Sequence, residues 1–97
     1  MINFEWDDRK SRANQRKHDV SFDEARTVFF DEYAIEFYDD PSSSEVERFL
    51  MLGMSLRARL LLVCHCIRDD ESTIRIISAR KATRSESNLY RGIDDES

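Results

Sequence analysis

Apolar and polar positions alternate across residues 2–6, which predicts a short strand, and the alternation breaks at Asp7. Asp7 is a good N-cap, and the residues after it lack Gly, Pro and β-branched side chains as far as Lys17, so a helix is predicted there. Lys10, Asn14 and Lys17 then fall at i, i+4 and i+7 and share one stripe. A second helix is predicted over residues 22–30, because Phe22, Ala25, Val28 and Phe29 repeat at helical spacing behind Ser21 and Glu24, which have capping-box spacing. The pattern then becomes strand-like. Residues 34–38, 46–54, 60–68 and 72–80 read as strands, separated by the polar turn Asp39-Asp40-Pro41-Ser42-Ser43-Ser44 and by short later connections, including Asp69-Asp70-Glu71. Short connections imply antiparallel neighbours. Thr83 with Glu86 repeats the capping-box spacing and Gly92 is a stop, giving a last helix over residues 84–91. The order β-α-α-β-β-β-β-α predicts an α+β fold, a small antiparallel sheet with helices on one face and the other face free for a ligand or partner.

Two glycines, one proline and no repeat leave no linker, so residues 1–97 form one expected domain, with an acidic flexible tail over about residues 92–97. The longest apolar run, residues 60–64, is far short of the ~20 residues that span a bilayer, and the first residues lack a signal-peptide layout. A cytoplasmic protein without membrane contact is expected. Cys64 and Cys66 alternate on one strand face about 7 Å apart, too far for an unstrained disulfide, and read as buried thiols.

Net charge is -5, which argues against a nucleic-acid ligand until its distribution is considered. Residues 21–47 carry nine acidic side chains against Arg26 alone, whereas residues 48–91 sum to +5. Arg9 to His18 adds five cations and no acid. This segregation predicts an anion-seeking surface with the acidic stretch lying apart from it.

Several segments resemble the BrnT toxins, the toxin half of a bacterial type II toxin-antitoxin module. Phe4, Trp6, Asp7, Lys10, Asn14, Lys17, His18, Val20 and Phe22 match the opening family pattern position by position. Glu47-Arg48-Phe49 with Gly53, the apolar strand ending at His65, and the run Arg75 to Ala82 with Glu86 resemble the rest. The resemblance implies a compact RelE-like fold and an endoribonuclease that blocks translation by cutting mRNA, either free or on the ribosome. It also implies neutralisation by a cognate BrnA-like antitoxin with a ribbon-helix-helix part, in a 2:2 complex that meets DNA only through the antitoxin. Asp19 stands where relatives usually have Gly, which predicts φ > 0 there.

Metal-independent cleavage by a 2′-hydroxyl needs a base, an acid and cations for the charge building on phosphate. Arg48 and Arg80 suit the last role, because a guanidinium stays charged and binds phosphate bidentately. His65 and His18 are the acid-base candidates. His65 alternates with Leu61 and Val63 and equally fits a hydrogen-bonded core histidine, and His18 also fits a helix-helix turn. Arg80 and Lys81 point to opposite faces unless a bulge intervenes, so only one can join His65, and Arg80 is favoured. Lys10, Lys17, Arg59 and Lys81 are candidate substrate contacts, and Trp6 reads as core. No cofactor or metal is expected, since His65 faces away from the thiols and no second ligand cluster exists. The competing reading is a non-catalytic module whose open sheet face docks a protein.

Overall fold

The computed structural model describes residues 2–39, 47–68 and 71–93. The chain runs β1 (Asn3–Glu5), α1 (Asp8–His18), α2 (Phe22–Thr27), a 3-10 turn (Val28–Phe30), β2 (Ile35–Asp39), β3 (Arg48–Met54), β4 (Leu60–Ile67), β5 (Thr73–Lys81) and α3 (Arg84–Arg91). The element order read from the sequence is the one observed. Most of the 39–44 turn, Val46, Asp69, Asp70 and the acidic tail from Asp94 lie outside the described residues.

Local chemistry explains the helix boundaries. Asp7 accepts from the N–H groups of Arg9 and Lys10 and starts α1. Asp19 ends it with φ 60 and ψ 33, the left-handed conformation expected at this position. Ser21 accepts from the Glu24 N–H, but the reciprocal half of the expected capping box is missing because the Glu24 side chain is drawn to Ser55 and Arg59. The second helix is shorter than predicted. Its last residues tighten into the 3-10 turn, where the Thr27 hydroxyl donates to the Glu24 carbonyl and accepts from the Leu56 N–H. Thr83 and Glu86 form the complete box at the start of α3, and Gly92 closes it at φ 72.

The five strands lie in the order β1-β5-β4-β3-β2. All neighbours are antiparallel except β1, which adds to β5 in parallel, so the sheet is mixed rather than wholly antiparallel. β1 forms one edge of the sheet beside β5, and the helices that follow it carry the chain across to β2 at the other edge. From there β3, β4 and β5 return antiparallel, and β5 comes to lie beside β1 in parallel. Val20, Phe22, Ala25 and Val28 pack on Leu61, Val63, Ile76 and Ala79 to form the core, joined by Phe4, Trp6, Phe29 and Met51. Trp6 meets Phe22 edge-on at 6.3 Å, consistent with a packing role. A Cβ at Gly53 would come within 2.8 Å of Val28 Cγ1 and 2.9 Å of the Ala34 Cβ, which is why that strand carries glycine.

The expectation of helices on one face requires correction. Leu52 and Leu62 alternate with the core residues Met51, Leu61 and Val63, so they point to the opposite face, yet both are buried. They make that face apolar as well, and α3, which packs against β3, lies over it. Tyr90 donates to the Asp31 carboxylate at 2.6 Å, and the Met54 N–H donates to the same carboxylate at 2.8 Å, fixing α3 to the end of β3. Burial pushes the Asp31 carboxyl up, but these bonds and one from the Tyr33 N–H outweigh it and hold the group below its usual range.

β5 contains the feature that decides the placement of the site. His65 pairs with Ile76 and Cys64 with Ser78, so Ile77 is an extra residue on that strand. The bulge inverts the inward-outward parity of everything after it: Ile74 and Ile76 face the helical core, and so do Ala79 and Lys81. Arg80 is therefore turned to the α3 face.

Candidate functional site

Beside α3, the uncovered part of the second sheet face forms a groove of about 400 Å³ lined by His18, Asp39, Arg48, Leu50, Leu62, Cys64, Ser78, Ala79 and Arg80. Cross-strand register builds it: Asp39 stands opposite Arg48, Leu50 opposite Cys64, Cys64 opposite Ser78, and Leu62 opposite Arg80. Three of the four residues assigned to catalysis from sequence, Arg48, Arg80 and His18, thus come together. His18 joins from the last turn of α1. It can do so because β1 pairs only with Thr73, Ile74 and Arg75, which leaves the outer edge of β5 without a strand beside Ala79.

Asn14 occupies that edge. Its amide donates to the carbonyls of Ala79 and Val20, each at 2.8 Å, and its oxygen accepts from the Ala79 N–H at 3.1 Å. The side chain supplies the donor and acceptor that a neighbouring strand would have offered, and so ties the helix carrying His18 to the strand carrying Arg80.

The Arg80 guanidinium is held by Glu86 through two parallel bonds of 2.8 Å. Glu86 also accepts from the Thr83 N–H, and chiefly through Arg80 its carboxyl is pulled down to about 2. Arg48 differs: no carboxylate of the described residues lies within ion-pairing distance. Cys64 is half-buried rather than buried as expected, and burial, with the charge of Asp39, pushes its thiol up. Asp39 corrects a second expectation, since a member of the acidic stretch stands in the cationic groove instead of apart from it.

His65 is not in this groove. Its ring is 1% exposed on the core face, edge-on to Phe29 at 4.8 Å and inclined to Phe49 at 5.9 Å. Nδ1 lies 3.3 Å from the Val63 carbonyl oxygen and Nε2 lies 3.6 Å from Glu36 Oε2. Burial takes its pKa below the ordinary histidine value despite Glu36. The expected pairing of His65 with Arg80 is overturned by the Ile77 bulge: counted without it, Ser78 and Arg80 would share the face of Ile76 and His65.

Of the candidate substrate contacts, Lys17 and Lys81 line a second depression of about 550 Å³ with Arg16, His18, Asp19, Arg80 and Thr83. Lys10 is exposed on α1 and lines neither concavity. Arg59 is committed elsewhere. It pairs with both carboxylate oxygens of buried Glu24 and also donates to the Asp19 carbonyl oxygen at 2.8 Å, and this pairing draws the Glu24 carboxyl down. Sequence reasoning missed Asp39, Cys64, Ser78, Arg16 and the partnership of Glu86 with Arg80. Register was the signal that could have found the first three, and the bulged residue hides it for Ser78 alone. Among the described residues no group of His, Cys, Asp and Glu has the arrangement of a metal site. No helix among them is long and apolar enough to cross a membrane.

Fold and groove together define a small α+β protein with a mixed five-stranded sheet and a cationic groove on the sheet face. Residues 6–86 match the family model described as the ribonuclease toxin, BrnT, of type II toxin-antitoxin systems, and the chain belongs to that family. The crystal structure of the Brucella abortus ribonuclease toxin BrnT has the same fold, with a TM-score of 0.67 and 19% sequence identity over 87% of this chain and 100% of that chain. No curated protein matches the chain. Membership of this family implies an RNA substrate and an antitoxin partner.

Proposed function

We propose that this ribonuclease toxin cuts RNA internally and without metal in the groove of Arg48, Arg80 and His18. The observation carrying this reading is the convergence of two guanidiniums and an imidazole on the sheet face away from the core. Arg48, which forms no ion pair among the described residues, and Arg80, aimed by Glu86, hold the scissile phosphate and take up the charge that grows on its oxygens. The 2′-oxygen attacks phosphorus and the bond to the 5′-oxygen breaks, leaving a 2′,3′-cyclic phosphate and a 5′-hydroxyl. His18 and Asp39 are the groove groups available for the two proton transfers, one from the 2′-hydroxyl and one to the leaving oxygen. His65 and Arg59 have no part in this chemistry, because each is enclosed by partners of the fold.

The cognate antitoxin, of the ribbon-helix-helix type and similar to BrnA, covers this face in a 2:2 complex, and DNA is contacted through it alone. The toxin acts on mRNA in the cytoplasm. The deciding experiment incubates purified protein with an RNA oligonucleotide in excess EDTA and identifies the ends by mass spectrometry. Cyclic phosphate and 5′-hydroxyl ends are expected, with a loss on the order of a hundredfold in Arg48→Ala at unchanged circular dichroism. Cleavage abolished by EDTA, or undiminished in Arg48→Ala, overturns the mechanism. Light scattering of the co-expressed toxin and antitoxin tests the stoichiometry.

A further inference from the structure

We propose that the depression beside the groove is a second phosphate subsite, which takes the phosphate next to the scissile one in a single-stranded RNA. This inference rests on reading the groove as the cleavage site, and it adds a minimum substrate: a chain with at least two consecutive phosphates. His18 and Arg80 line both concavities, so a strand leaving one enters the other without crossing a ridge of other residues. The cations of the second concavity come from two separate elements, Arg16 and Lys17 from the last turn of α1 and Lys81 from the end of β5.

Two of the charges there, Arg16 and Lys17, are not neutralised internally. Glu86 balances Arg80, and the Asp19 carboxylate lies 3.3 Å from Arg59 and 3.7 Å from Lys81. Arg16 and Lys17 are exposed, and among the described residues neither has a carboxylate partner. Cations in the last turn of a helix offset its dipole wherever they point. That role does not call for Lys81 to meet them from another element in one concavity. In a protein of net charge -5, the unpaired Arg16 and Lys17, with Lys81 beside them sharing one exposed carboxylate with Arg59, are a place where the field favours an anion, and they adjoin the proposed cleavage site. Strand alternation sets Lys81 opposite Arg80, and the Ile77 bulge decides that Lys81 is the one on the side on which α1 lies. One strand end thereby supplies a cation to each concavity.

The test uses short 2′-fluoro RNA oligonucleotides, which lack the attacking hydroxyl, with one neutral methylphosphonate moved linkage by linkage. Binding is read by fluorescence anisotropy for the wild type, Arg48→Ala and the double variant Arg16→Gln/Lys17→Gln. In the wild type, neutralising a contacted phosphate should weaken binding on the order of tenfold at low salt and reduce the steepness of the salt dependence by about 0.7. The linkage that ceases to matter in Arg48→Ala marks the scissile phosphate. The linkage that ceases to matter in Arg16→Gln/Lys17→Gln should be its immediate neighbour. The same linkage in both variants, or an undiminished methylphosphonate effect at every linkage in the double variant, overturns the subsite. Failure of the cleavage reading is separate, because it appears as wild-type protein leaving all-RNA oligonucleotides intact while the binding pattern stands.

Discussion

Replacing Asn14 by Ala removes three hydrogen bonds at once, two donated to the carbonyls of Val20 and Ala79 and one accepted from the Ala79 N–H. Each is worth about 1 kcal/mol net, and an orphaned buried N–H adds to the loss, while water reaching the exposed strand edge returns part of it. The expected cost is about 3 kcal/mol, a large share of the 5–15 kcal/mol typical of a domain. For a chain of this size that corresponds to a fall in melting temperature of roughly 12–24 °C. Urea unfolding followed by the fluorescence of Trp6, the single tryptophan, measures it. Asn14→Asp provides the control. It keeps an acceptor for the Ala79 N–H but sets a carboxylate against two carbonyl oxygens, which raises the folded pKa above the unfolded value of about 3.9. Its penalty is therefore full at neutral pH and shrinks as pH falls through the folded pKa, where one O–H donor is restored. An Asn14→Ala variant within about 1 kcal/mol of wild type would refute the claim that this amide stands in for a missing strand.

Glu86→Gln should cost about 1 kcal/mol, a value kept small because Arg80 and Glu86 are 39% and 25% exposed. The folded carboxyl lies at about 2 against 4.5, so the stability it confers is present above pH 4.5 and lost as pH falls toward 2; identical acid profiles for wild type and variant would reject this. Arg59→Ala leaves the buried Glu24 carboxylate with Ser55 and, at 3.8 Å, the exposed Arg57, and should destabilise by about 3 kcal/mol, part of which Glu24→Gln recovers in the double variant; additive losses in the denaturation cycle would show the pair to be uncoupled. His65 has a lowered folded pKa, so the unfolded chain takes up the proton first and stability falls as pH drops below about 6.5, by at most about 1.4 kcal/mol per unit. His65→Phe, its ring between Phe29 and Phe49, should flatten the profile from pH 6.5 down to 5, and a wild-type slope retained in that variant assigns the acid sensitivity to another group.

Local signals carried most of the architecture. Asp7, Ser21 and Thr83 mark helix starts because a side-chain oxygen satisfying an orphan N–H is a contact between near neighbours in sequence. Asp19 adopts the left-handed turn for a similarly local reason. The parallel placement of β1 on β5 is a pairing of residues about seventy positions apart, and no short-range pattern encodes it. The site was legible as a set of residue types but not as a constellation. Arg48, Arg80 and His18 were identifiable as phosphate and proton-transfer chemistry, whereas their common face depends on Ile77 being skipped in the ladder. A single uncounted residue reverses a strand's two faces, so it moved Arg80 from a predicted partner of His65 to the opposite side of the sheet. Arg59 illustrates a different limit: its type suits phosphate, and only the tertiary approach of Glu24 shows that its charge is already engaged.

The net charge of -5 gave a misleading impression of the ligand for a related reason. Glu24, Glu86 and Glu5 are each held by an arginine, with distances of 2.9, 2.8 and 2.8 Å to Arg59, Arg80 and Arg75. Asp31 is bound by Tyr90 and two backbone N–H groups. These carboxylates work inside the fold, and their fields are largely cancelled at short range by the donors beside them. What an approaching polyanion meets is set by the unpaired charges, and on the groove side these include Arg48, Arg16 and Lys17, with Asp39 the opposing carboxylate. At the proposed cleavage site, Asp39 directly across from Arg48 opposes the binding of phosphate. The pull of the two guanidiniums and the repulsion from the one carboxylate both grow with the charge on the phosphate, so whatever net attraction they leave is larger for the more highly charged transition state than for the ground state. Weak ground-state affinity and effective cleavage are therefore compatible at the proposed site, and the overall acidity of the chain bears on the first without deciding the second.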